Sequence, residues 1–132
     1  MTMTDTVADM ITRIRNGNMI NKSYVLVPAS RVRENIAGIL KEEGFIKDYE
    51  ITEEDKKRYI KVFLLYYSEN RKAITEIKKI SKPGGRVYAD KDGIPVIKSG
   101  AGIAVLSTSK GIMSNKKAKE QGVGGELLFH VW

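Results

Sequence analysis

The chain has 132 residues, of which 42% are hydrophobic and 30% charged, which suits one compact domain or two small ones and argues against a disordered tail. Its longest apolar runs fall far short of the ~18 residues that cross a bilayer, and no secretory signal is visible. With no Cys it has neither disulfides nor thiolate metal sites, which points to the cytoplasm.

The net charge of +7 is one-sided. Residues 1–70 hold eleven Lys/Arg and eleven Asp/Glu, whereas residues 71–132 hold twelve and five, so the second part carries the entire excess. A neutral half joined to a basic half reads as a scaffold plus a polyanion-binding surface. A basic surface kept only for solubility is the plainer alternative.

In chain order, Thr4–Asn16 is expected to be a helix, because Val7, Met10, Ile11 and Ile14 fall on one face. Thr4 would cap it, Asp5 suits its positive end, and Gly17 would end it. Arg13 and Arg15 sit near its C-terminal end, where dipole interaction and phosphate contact are both open. Ser23–Val27, stopped by Pro28, reads as a strand. Ser30 opens a second helix with Val32, Ile36, Ile39 and Leu40 inward, and Gly44 closes it. Phe45–Ile51 and Arg58–Tyr67 read as strands joined by a Thr52–Lys57 loop. Arg71–Ile80, with isoleucines at 74, 77 and 80, is expected as a short third helix. After the Pro83-Gly84 turn the pattern changes to short strands: Arg86–Tyr88, Gly93–Lys98, Gly102–Leu106 and Glu126–Trp132. Ser114–Gln121 reads as a brief helix capped by Ser114. The fold class is α+β, an N-terminal α-β-α-β-β module (1–69) packed beside a mostly β C-terminal module with short helices (70–132).

Few residues could carry chemistry. His130 is the single His and there is no Cys, so a metal site has few ligands to draw on. Ser107 or Ser109 would need His130 as base in a hydrolase, and nothing marks it as paired. Gly100-Ala101-Gly102 opens an apolar strand rather than a helix, with Val at 105, so it fails as a dinucleotide loop. Gly122-Val123-Gly124-Gly125-Glu126 lacks the Lys-Ser/Thr of a P-loop.

The most informative segment is Ser107-Thr108-Ser109-Lys110-Gly111. Three hydroxyls leave the apolar Ile103–Leu106 and run into a Lys and a Gly. Hydroxyls meet phosphates, 2′-hydroxyls and base edges alike; an ordinary strand end with Ser/Thr turns is the alternative. Tyr88, two residues after Arg86, offers a ring for stacking on an unpaired base, or is simply core. Glu126 is an acid in a basic half. It either accepts hydrogen bonds from base amino groups or braces the glycine turn.

Six ordered blocks carry a resemblance. They are Met1–Asp5 with Ala8–Asn16, Val27–Ser30, Leu40–Ile46, Ser81–Tyr88, Gly102–Gly111 and Gly122–Glu126. Together they resemble the bacterial small-subunit ribosomal protein eight family over the whole length. The resemblance implies a non-enzymatic protein without cofactor or metal, which binds the central domain of small-subunit ribosomal RNA early in assembly. Its implied partners are that RNA and neighbouring small-subunit ribosomal proteins, with no membrane and no small-molecule substrate. In some bacteria the family also represses its own operon message. Carried over by position, Ser107, Thr108, Ser109, Lys110, Gly124, Gly125 and Glu126 form the main RNA site, flanked by Arg86 and Tyr88. Thr4, Arg15 and Arg31 are secondary contacts. Thr6 departs from the usual Pro, Gly85 from a common Leu, and Ser99-Gly100-Ala101-Gly102 from Asn-Gly-Leu-Gly. The lost Leu side chains are expected to weaken packing around the Pro83 turn.

Overall fold

A computed structural model describes residues 3–132, with side chains described from residue 6 onward, so the expected capping roles of Thr4 and Asp5 lie outside the described residues. The chain divides into two compact units, Met1–Thr75 and Glu76–Trp132.

The first unit runs α1 (Met3–Met19), β1 (Tyr24–Pro28), α2 (Arg31–Glu42), β2 (Ile46–Glu54), β3 (Lys57–Leu64), then β4 (Tyr66–Ser68) and β5 (Arg71–Lys72) as a small separate hairpin. Strands β1, β3 and β2 form an antiparallel sheet in that order. Val7, Met10, Ile11 and Ile14 are all buried, as their spacing requires. The helix nevertheless continues past Gly17 to Met19. Gly17 is there for space rather than as a stop: a Cβ would collide with Val25 Cγ1, so the helix and β1 approach each other across it.

Ser30 caps α2, its Oγ accepting from Arg33 N at 3.2 Å, and Gly44 follows the helix at φ +81°. The buried face differs from the expected one: Arg33 joins Ile36, Ala37 and Leu40, while Val32 and Ile39 are only half-buried. The charge is tolerated because every arm of the guanidinium is bonded. Arg33 Nε donates to Thr6 O, Nη1 to Pro28 O and Nη2 to Asp9 Oδ2, each at 3.1 Å. Arg33→Met is expected to destabilise the chain by about 2–4 kcal/mol, since two carbonyls lose their donor; the half-exposed Asp9 adds little. Urea unfolding checks this, and a loss under about 0.5 kcal/mol would show that water takes over those carbonyls.

Strands β2 and β3 pair closer to their turn than expected, because Asp55 (φ 50°) and Lys56 (φ 67°) form a tight two-residue connection. Across it Glu54 faces Lys57, Glu53 faces Arg58 and Glu50 faces Lys61. These opposed charges account for part of this unit's neutrality.

The expected helix at 71–80 is absent. Residues 71–72 and 77–79 are strands instead. Ile74 and Ile77 are both buried, but Ile77 lies on a strand and Ile74 on the segment before it, so their three-residue spacing is not that of a helix face.

The second unit contains β6 (Ile77–Lys79), β7 (Tyr88–Ala89), a 3₁₀ turn (Lys98–Gly100), β8 (Ile103–Thr108), β9 (Gly111–Ser114), α3 (Asn115–Gln121) and β10 (Gly125–Val131). The sheet order is β6-β10-β8-β9, and β7 pairs with β10 as well. Ser114 caps α3 as expected, accepting from Lys117 N at 3.2 Å. One face of the sheet buries Ala104, Leu106 and Leu127 in a cluster with Ile94, Ile97, Met113 and Ala118. Gly93–Lys98 is not the expected strand. Asn115 pins it to the sheet as a loop, donating to Pro95 O at 2.9 Å while accepting from Ala104 N at 3.1 Å. Ile94 and Ile97 dip from that loop into the core.

His130 Nε2 is buried with no hydrogen-bond partner, and burial, followed by the Lys78 charge, holds its pKa below the usual 6.5. The unfolded chain therefore binds the extra proton more readily. His130's contribution to stability is full above 6.5 and is lost as pH falls below that value. Melting between about pH 8 and about pH 5 should show this decline, flattened in His130→Gln. An unaltered slope in that variant would assign the pH dependence to other groups.

Candidate nucleic-acid interface

The β7-β10-β8 register assembles most of the predicted site. Glu126 lies opposite Tyr88 on one side and Ser107 on the other, and Gly125 lies between Ala89 and Thr108. Directly paired residues share a face, so Tyr88, Glu126 and Ser107 form one row. Ile103 and Val105 precede Ser107 on that face and are buried, whereas Ser107 is half-buried, so the surface turns polar at the strand end.

The two glycines make this row possible. A Cβ at Gly125 would lie closer than 3.0 Å to Ser107 O, and one at Gly124 would collide with Ala89 O. Three strands approach at a separation that no other residue permits.

Beyond Ser107 the chain turns through Ser109 and Lys110 into β9, with Thr108 paired to Gly111. Thr108 Oγ1 donates to Gly111 O at 2.7 Å and accepts from Lys110 N at 3.1 Å. Gly111 adopts φ +112°. Thr108 thus spends its hydroxyl closing the hairpin, while Ser109 and Lys110 stand exposed at the tip. Tyr88 is 68% exposed, a ring in water rather than core.

Glu126 is only 13% exposed along its side chain. Its Oε2 accepts from Ser81 Oγ and from Arg86 Nη1, the latter at 3.2 Å. Ser81, 1% exposed, accepts in turn from Val87 N at 3.3 Å. Ser81 adds a site residue beyond those expected from the sequence, where its one signal is a hydroxyl two residues before Pro83. At Gly84 and Gly85 a Cβ would meet nothing within 4 Å, so the turn is open at both positions.

Arg15 on α1 and Arg31 at the start of α2 belong to the first unit, and both are exposed. The Thr4 side chain lies outside the described residues. Among the described residues no group of three or more His, Asp or Glu could hold a metal ion, and no helix is long and apolar enough to cross a membrane.

Residues 5–132 match the model of a ribosomal-protein family, described as Ribosomal protein S8. Over all 132 residues, and over the full length of each relative, the chain is 54% identical to Small ribosomal subunit protein uS8 of Geotalea uraniireducens and 54% identical to that of Syntrophomonas wolfei. It is 50% identical over the same span to the protein of that name from Geobacter sulfurreducens. The chain belongs to the ribosomal protein S8 family, which consists of structural ribosomal proteins and not of enzymes.

Proposed function

We propose that this protein is a structural constituent of the small ribosomal subunit that binds the central domain of its RNA directly and supports subunit assembly. The observation that carries the reading is the polar row Tyr88–Glu126–Ser107, placed beside the exposed Ser109-Lys110 tip in the basic part of the chain. Lysines and arginines draw phosphates in without regard to sequence. Ser107, Ser109 and Lys110, with Arg86 and Tyr88, meet the exposed base edges and 2′-hydroxyls of an irregular helix, while Thr108 holds the hairpin that presents them. Gly124 and Gly125 let the backbone approach, and Thr4, Arg15 and Arg31 add secondary contacts. Neighbouring small-subunit proteins, and an operon message with a similar RNA fold, are the further partners of this reading.

Filter binding of a transcribed central-domain fragment against a shuffled RNA of equal length, at two salt concentrations, tests it. A clear preference for the fragment is expected, and equal retention of both RNAs sinks the proposal.

The hydroxyls should separate in a second measurement. Ser107→Ala and Ser109→Ala are expected to weaken binding by about 0.5–1.5 kcal/mol each with an unchanged melting temperature. Thr108→Val should lower the melting temperature, because Lys110 N and Gly111 O lose their partner. Equal thermal effects from all three would mean that none of them faces RNA selectively.

A further inference from the structure

We propose that Ser81 and Glu126, joined by Arg86, form a positioning latch that fixes the Pro83 turn and the Tyr88 ring, so that Glu126 serves RNA recognition without touching a base. The inference rests on the RNA reading above and assigns Ser81 a role within it.

The latch follows from bonds already described. Lys82 and Gly85 close a four-residue turn through two backbone bonds of 3.2 and 3.0 Å. Nothing packs against its two glycines where side chains would be, so side-chain burial there does not hold it. What holds it is polar. Ser81, on the near side of the turn, gives its hydroxyl proton to Glu126 and takes one from Val87 N, on the far side. Arg86 reaches the same carboxylate oxygen. Leu127 N then donates to Val87 O at 2.8 Å, tying the returning strand to β10 just before Tyr88.

The Ser81 hydroxyl and the Arg86 guanidinium converge on one carboxylate, which β10 places between Tyr88 and Ser107. Both bonds fall on Oε2 of a side chain only 13% exposed, so Oε2 is committed to the turn and Oε1 alone is left to meet any other donor. Its charge is also offset by Arg86, which reduces its repulsion of a phosphate backbone. Glu126 therefore acts through the backbone: its bonds fix Val87, and Val87 and the β7–β10 pairing set where the exposed Tyr88 ring projects.

The test uses the full chain, the central-domain fragment and a shuffled RNA. Ser81→Ala and Glu126→Gln are each expected to weaken binding of the fragment by roughly tenfold while binding of the shuffled RNA stays within about twofold. Ser81→Thr, which keeps the hydroxyl, should recover most of the loss. In a Tyr88→Ala background, Ser81→Ala should cost less than about twofold, because the ring it positions is gone. Amide exchange at Val87 should accelerate in Ser81→Ala, with the rest of the sheet unchanged. If Glu126→Gln keeps its full effect in a Ser81→Ala, Tyr88→Ala background, the carboxylate reads RNA itself and the latch is overturned. Unchanged exchange at Val87, or equal losses on both RNAs, overturns it too. A wild-type chain without preference for the fragment refutes the RNA reading before any variant is made, and the latch's part in recognition falls with it.

Discussion

Gly125→Ala is expected to lower stability by about 2–4 kcal/mol and to abolish selective RNA binding in the same step. The methyl group would be driven into the Ser107 backbone, which cannot give way as a flexible side-chain tip could. Either β10 shifts away from β8, losing the Gly125–Thr108 and Glu126–Ser107 pairing, or the strand end frays. Both outcomes break the row that joins Ser107 to Glu126 and Tyr88. Gly84→Ala is the matched control, because its added Cβ meets only open space, and it should stay within about 0.5 kcal/mol of the parent. Thermal melting and filter binding of both variants check the pair. Equal behaviour would mean that the strands adjust without loss and that the close approach is incidental.

The second large effect is electrostatic. If the basic part neutralises about six phosphates, affinity should fall by ~10³ between ~50 and ~200 mM salt. The origin of that slope can be located within the intact chain. Replacing Lys82, Lys110 and Lys117, all exposed in the second unit, by Gln should reduce the salt slope by about 0.9 for each lost phosphate contact. Replacing Lys47, Lys56 and Lys57 should change it little, because that unit opposes its cations with acids, as in the Glu54–Lys57 pair. Equal slopes for the two triple variants would remove the argument from charge distribution.

The helices and strands of the first unit were legible wherever one face met one core. Val7, Met10, Ile11 and Ile14 are the clear case, and Ser30 and Ser114 were legible as caps because capping is local chemistry. Gly17 was misread because a helix stop and a close interhelix-strand approach both call for glycine, and only tertiary structure tells them apart. The region 71–80 misled for a different reason: Ile74 and Ile77 are buried from a short strand and the segment before it, where a three-residue spacing mimics a helix face. At the candidate site, the segment 107–110 stood out by composition, but the use of each hydroxyl did not. Thr108 bonding Gly111 O depends on a hairpin whose second strand is too short to show a pattern. The partnership of Ser81 with Glu126 spans 45 residues and leaves no local trace.

The placement of β10 has a consequence for biosynthesis. All its partners, β6, β7 and β8, precede it in the chain, and it lies between β6 and β8 in the sheet. A nascent polypeptide emerges in that same order. The first unit can therefore fold while residues beyond Thr75 are still being added, but the recognition row cannot form until Gly125–Val131 is available. On the proposed function, an unfinished chain would carry the lysines without the register, and so would attract RNA without discriminating among RNAs. On that reading selectivity would come last in synthesis, with the strand that joins β6 to β8.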